Sequence, residues 1–156
     1  MSYVPETGTP PSRRELSGLV YDSNTAKVYV YGGRSQVIHE DMWEFDLSTN
    51  IWKEMHPASV MRPGPRSGAY LTMLEDSGQI VLFGGDTESG PISDVWLYDL
   101  DSEIVIIIQW KLVDTKGKAP PRANYRAVCD YIHDGKNYIA VYGGKGRYDY
   151  IKSLHM

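Results

Sequence analysis

Apolar and polar positions alternate in short runs along most of this chain, and the runs come in sets. Leu19-Val20-Tyr21 and Val28-Tyr29-Val30-Tyr31 are apolar stretches joined by Asp22-Ser23-Asn24-Thr25, a run of turn formers. Asp41-Met42-Trp43-Glu44-Phe45-Asp46-Leu47 then alternates strictly, with Trp43 and Phe45 on one face. Ser48-Thr49-Asn50 turns the chain into Ile51-Trp52-Lys53-Glu54-Met55. Period-two alternation predicts half-buried strands. The set therefore reads as four strands, with connections short enough for antiparallel neighbours.

The set recurs. Ala69-Tyr70-Leu71-Thr72-Met73, a turn at Asp76-Ser77-Gly78, Ile80-Val81-Leu82-Phe83, Asp94-Val95-Trp96-Leu97-Tyr98-Asp99-Leu100 and Trp110-Lys111-Leu112-Val113 make a second unit. Trp43 to Trp96 spans 53 residues, and so does Asp41 to Asp94. A third unit opens at Pro121-Arg122, continues through Ala127-Val128-Cys129 and Tyr138-Ile139-Ala140-Val141-Tyr142, and reaches Asp149-Tyr150-Ile151-Lys152-Ser153-Leu154. Its outermost strand is missing. An aromatic followed by two glycines closes the second strand each time: Tyr31-Gly32-Gly33, Phe83-Gly84-Gly85 and Tyr142-Gly143-Gly144. A period near 50 residues marks a repeat architecture. The expected units are residues 11–60, 61–118 and 119–156, with residues 1–10 as an orphan outer strand and linker.

These co-occurring features resemble the kelch-repeat family of β-propellers. The resemblance covers nearly the whole chain and rests on three Gly-Gly pairs, two Asp-x-Trp-x-(Phe/Tyr)-Asp strands and two following tryptophans at constant spacing. It implies an all-β fold of four-stranded antiparallel blades around an axis, the first strand innermost. Two departures stand out. Leu16, Ala69 and Tyr125 occupy places where kelch units often carry His, and Ile151 stands where the other units have Trp. The glycines are expected where a Cβ would clash or positive φ is needed. The aromatics are expected to fill the space between blades, and the aspartates flanking the third strand to bind turn backbone.

Closed propellers have about four to eight blades, so three leave the ring open. Three readings stay open. The chain is a piece of a longer propeller, or the remaining blades come from a different polypeptide. Alternatively two copies form a six-bladed homodimer, each N-terminal strand completing the other copy's third blade.

Composition narrows the function classes. The net charge of −4 lacks the basic footprint of nucleic-acid binding, and no apolar run approaches a membrane span. One cysteine, Cys129, permits no intrachain disulfide. The N-terminus lacks a secretory pattern, so a cytoplasmic or nuclear location is the expectation. His39, His56, His133 and His155 show no ligand spacing. Some propellers of the family are copper oxidases built on a Tyr–Cys link and two His, but no matching histidine set is visible. The expectation is a non-enzymatic module without cofactor, the alternative a small-ligand or enzymatic site at the axis mouth.

Strand alternation places the loop leading into each first strand on the same face as the loop joining the second strand to the third. Recognition commonly lives on loops held by a rigid scaffold. The candidates on that face are Arg13, Arg34, Arg66, Asp86, Arg122, Tyr125, Lys145, Arg147 and Tyr148. So many cations beside tyrosines suit a protein loop or acidic peptide. A competing reading is that the repeated arginines only bridge adjacent loops. Separately, Ile104-Val105-Ile106-Ile107-Ile108 reads as an apolar outer edge open to pairing.

Overall fold

The computed structural model describes residues 8–57, 59–74, 77–100, 110–113, 127–142 and 154–155. The first sheet runs β1 (Gly18–Asp22), β2 (Lys27–Tyr31), β3 (Met42–Asp46) and β4 (Ile51–Met55), in that spatial order. The second repeats it with β5 (Tyr70–Leu74), β6 (Gln79–Thr87), β7 (Gly90–Asp99) and β8 (Trp110–Val113). The third contains β9 (Ala127–His133), β10 (Lys136–Tyr142) and β11 (Leu154–His155). All described pairings are antiparallel.

Side-chain oxygens close the tight turns. The Asp22 carboxylate accepts from the Asn24 amide at 2.9 Å and the Thr25 hydroxyl at 2.5 Å. Asp46 does the same for the Ser48 and Thr49 amides at 2.8 and 3.2 Å. These Asx turns fold the chain back within a few residues, and each ends on a left-handed residue, Ala26 or Asn50. The turn role expected of the aspartates therefore holds for Asp46, after the third strand, but not for Asp41 before it.

Two elements differ from the sequence expectation. The segment Asp86-Thr87-Glu88-Ser89 is not a loop between separate strands. β6 continues through a bulge between Phe83 and Gly85 and returns as β7 in a hairpin, with Thr87 opposite Gly90. Gly90 at φ +107° and the Thr87 hydroxyl, 2.9 Å from the Gly90 carbonyl, close this turn. In the third sheet Leu154 pairs with Tyr142. The other sheets pair Tyr31 with Met42 and Phe83 with Val95, a register that would put Tyr150 there. The N-terminal strand, Ile104–Ile108 and Asp149–Ser153 lie outside the described residues.

Sheets 1 and 2 stack face to face. Val20, Tyr29, Tyr31 and Met42 of the first form one buried cluster with Leu71, Met73, Ile80, Leu82, Trp96, Tyr98 and Trp110 of the second. Trp110 is the hub. It meets Tyr31 edge-on at 5.5 Å and Tyr98 at 4.9 Å, a geometry that aromatic quadrupoles favour. The Tyr31 hydroxyl donates to the Pro63 carbonyl at 2.5 Å, so the linker between the sheets is pinned to this cluster. Burial, aided by the Glu44 and Asp99 charges, pushes the Tyr98 phenol up to about 12. It stays neutral at physiological pH.

The opposite face of sheet 1 is different. By register Leu19 and Tyr21 are the counterparts of Leu71 and Met73. Leu71 and Met73 are 4% and 8% exposed, whereas Leu19 and Tyr21 are 61% and 49% exposed. At β1, then, this pattern is exposed among the described residues, while Val30 and Trp43 further along the same face are buried.

Trp110→Ala is expected to destabilise the fold by about 3–5 kcal/mol, the usual range for emptying a buried aromatic site. Urea unfolding followed by near-ultraviolet circular dichroism measures it. A loss under about 1 kcal/mol would refute the hub role.

Candidate functional site

The loop face is organised by two copies of one side-chain brace. In sheet 1 the Arg14 guanidinium grips both carboxylate oxygens of Asp41 and donates to the Gly32 carbonyl at 3.1 Å. The Trp43 indole N–H donates to the same carboxylate at 2.7 Å. In sheet 2 Arg66 reaches the Asp94 oxygens at 2.7 and 3.0 Å and the Gly84 carbonyl at 3.1 Å. Trp96 donates to Asp94 at 2.6 Å. Bidentate, charge-assisted bonds of this kind are among the strongest a protein makes.

The brace explains the double glycines. Gly32 and Gly33 sit at φ +62° and +103°, and Gly84 and Gly85 at +63° and +111°. A Cβ on Gly32 would also collide with the Arg66 carbonyl. That closeness ties the sheets together: the Gly33 amide donates to Arg66 O at 2.9 Å, and the Arg66 amide donates to His39 O at 3.1 Å.

Burial works to raise the Asp41 carboxyl, but the hydrogen bonds from Arg14 and Trp43 outweigh it and hold the group below its ordinary value. Asp41 and Asp94 are thus anchors for arginine and tryptophan rather than turn formers.

Two expectations about arginines change. Arg66 is not offered to a partner: its side chain is 3% exposed and committed to Asp94. The position equivalent to Arg66 in the first repeat is Arg14, not Arg13, because Arg14 makes the same three bonds, to both oxygens of the aspartate and to the glycine carbonyl. Arg13 and Arg34 are exposed and form no ion pair among the described residues. Arg34 is held in place by its backbone, exchanging bonds of 2.9 and 2.8 Å with Glu15. Asp86 occupies the matching place in sheet 2 and bonds Ser67 in the same way at 2.9 and 2.7 Å. The structure therefore brings Arg13, Arg34, Asp86 and the buried Arg66 to one face. Arg122, Tyr125, Lys145, Arg147 and Tyr148 lie outside the described residues.

Exposed apolar side chains share these loops, and three of them, Val37, Val60 and Met61, carry no signal in the sequence. Val37 lies in the β2–β3 loop, and Val60 and Met61 in the linker between sheets. The Glu40–Arg62 ion pair at 3.2 Å ties that linker to the β2–β3 loop. Leu16, in the loop leading into β1, is half exposed at φ +57°. The sequence sets Leu16 against Ala69; the structure shifts that pairing by one, since Glu15 bridges Arg34 as Ser67 bridges Asp86, and matches Leu16 with Gly68. Among the described residues no group of three or more His, Cys, Asp or Glu is placed to hold a metal.

All 156 residues match the family model described as the KLHDC2/KLHL20/DRC7 Kelch-repeats domain. The chain belongs to the kelch-repeat family, and its four-stranded sheets are propeller blades. It is 30% identical to human host cell factor 2 over 147 residues, covering 81% of this chain and 18% of that protein. It is 36% identical to bovine Kelch domain-containing protein 2 over 94 residues, covering 59% and 22%. Mouse Kelch domain-containing protein 1 is 30% identical over 140 residues, covering 88% and 31%. The chain thus spans less than a third of each of these relatives.

Arg66→Ala leaves Asp94 without its cation and is expected to cost about 3 kcal/mol, read as a lower urea midpoint. An unchanged midpoint would reject the brace. A second expectation concerns acid. The Asp41 carboxyl is depressed in the fold, so its contribution is fully present above the unfolded value near 4 and is lost as pH falls through the folded value. Asp41→Asn should be less stable than the parent at pH 7, and the gap should shrink towards pH 3. A gap that stays constant across that range would disprove the linkage.

Proposed function

We propose that this chain is a non-enzymatic protein-interaction module that binds an acidic peptide or a carboxylate-bearing loop on the Arg-rich loop face. The observation carrying this reading is the division among the arginines. Arg14 and Arg66 are consumed by Asp41 and Asp94, yet the same face retains Arg13 and Arg34, exposed and without an ion-pair partner among the described residues. A planar guanidinium on a rigid loop binds carboxylates bidentately at little ordering cost. Arg122, Lys145 and Arg147, with Tyr125 and Tyr148, extend the same chemistry by their places in the third repeat.

The open face of blade 1 bears on assembly. Leu19 and Tyr21 present the pattern that a neighbouring blade covers at Leu71 and Met73, so its natural occupant is another blade. That blade comes from a longer parent chain or from a second copy in a six-bladed ring. The kelch relatives, several times longer than this chain, support the first source.

Arg34→Ala is expected to weaken binding of a fluorescein-labelled glutamate heptapeptide about tenfold, the worth of one charge-assisted contact. Raising the salt concentration should weaken the parent further. Anisotropy titration checks both, and equal affinity of parent and variant would remove Arg34 from the site.

A further inference from the structure

The brace, the aromatic hub and the exposed arginines leave one residue unaccounted for. Leu16 sits in the left-handed region at φ +57°, a conformation that costs an L-residue with a side chain and that glycine adopts freely. At the equivalent place blade 2 uses Gly68, at φ +63°. The backbone leaves Leu16 no escape. Glu15 is bonded to Arg34 through both its amide and carbonyl, the Ser17 hydroxyl donates to Gly32 O at 3.1 Å, and the Gly68 amide donates to Leu16 O at 2.7 Å. None of these bonds needs a side chain at position 16. The Leu16 side chain does not repay the strain by joining the core either, since 44% of the residue is exposed. Lone exposed leucines are ordinary, but a strained one where the second blade has glycine is not. Strain kept against the fold's interest concentrates at functional sites.

We infer that Leu16 is the apolar half of a two-part peptide subsite whose cationic half is Arg34. Its occupant is an acidic peptide carrying one bulky apolar side chain next to its carboxylates. This inference rests on the acidic-peptide reading above and names what that peptide must also contain. Glu15 links the two halves: it adjoins Leu16 in sequence and is bonded to Arg34 through the backbone. The carboxylate meets the guanidinium, and the apolar side chain covers Leu16 and is shielded from water.

The test uses two labelled heptapeptides, six glutamates with a central leucine and six with a central serine, titrated by anisotropy against the parent, Leu16→Gly and Arg34→Ala. The parent should prefer the leucine peptide about tenfold, the worth of one largely covered leucine. Leu16→Gly should abolish that preference while its thermal midpoint stays level or rises, since glycine relieves the strain. Arg34→Ala should weaken both peptides alike and keep the preference. Equal binding of both peptides by the parent overturns the inference and leaves the acidic-peptide reading standing. Failure of the parent to bind either peptide overturns both. A lower thermal midpoint for Leu16→Gly would make the side chain a packing residue and also end the proposal. So would loss of self-association by Leu16→Gly with peptide preference intact, which would assign Leu16 to a contact between copies.

Discussion

One bidentate ion pair, made twice, organises this molecule. Arg14 on Asp41 and Arg66 on Asp94 each join the loop leading into an inner strand to the third strand of the same blade, Asp41 just before β3 and Asp94 within β7. The guanidinium also takes the carbonyl of the first glycine of the pair, so three distant segments converge on one cation. The indole N–H of the next tryptophan completes the carboxylate's partners. That sets the orientation of a large ring bound for the blade face. A half-satisfied buried network is costly, so the Gly-Gly turn, the aspartate and the tryptophan stand or fall together.

The brace also determines which charges are left for recognition. A repeated arginine that is satisfied internally has no binding capacity to offer, and Arg66 is such a residue. Arg13 and Arg34 are not repeated in kind, since Asp86 stands where Arg34 has its counterpart. The scaffold is carried by what the blades share. The loop face gets its individual character from what they do not: a cation against an anion, a leucine against a glycine, an open β2–β3 loop against a hairpin extension. Within a repeat fold, comparing the units separates the two sets.

Blade stacking supplies the second constraint. Trp110 packs against Tyr31 of the neighbouring blade and Tyr98 of its own, and the Tyr31 hydroxyl holds the linker through Pro63. The blade interface is therefore apolar in its body and hydrogen-bonded at its rim. On blade 1 the β1 positions that match Leu71 and Met73, Leu19 and Tyr21, are exposed among the described residues, so burial there depends on a neighbour rather than on the residues.

The strands themselves were legible in the sequence because period-two alternation and turn chemistry are local. Ile51–Met55 and Trp110–Val113 appear with the expected bounds, and the double glycines mark the β2 and β6 turns by their positive φ. What local pattern could not decide were contacts across many residues. It could not tell that Arg14 rather than Arg13 closes onto Asp41, since both follow the same proline and only the three-dimensional path selects the one that reaches. Nor could it show that β6 and β7 run on through Gly84-Gly85 as a bulged hairpin, because glycine there signals a turn and a bulge alike. The repeat determined the architecture. Tertiary structure decided which side chains are consumed in building it and which remain free, because burial and ion pairing belong to the folded neighbourhood and not to the residue.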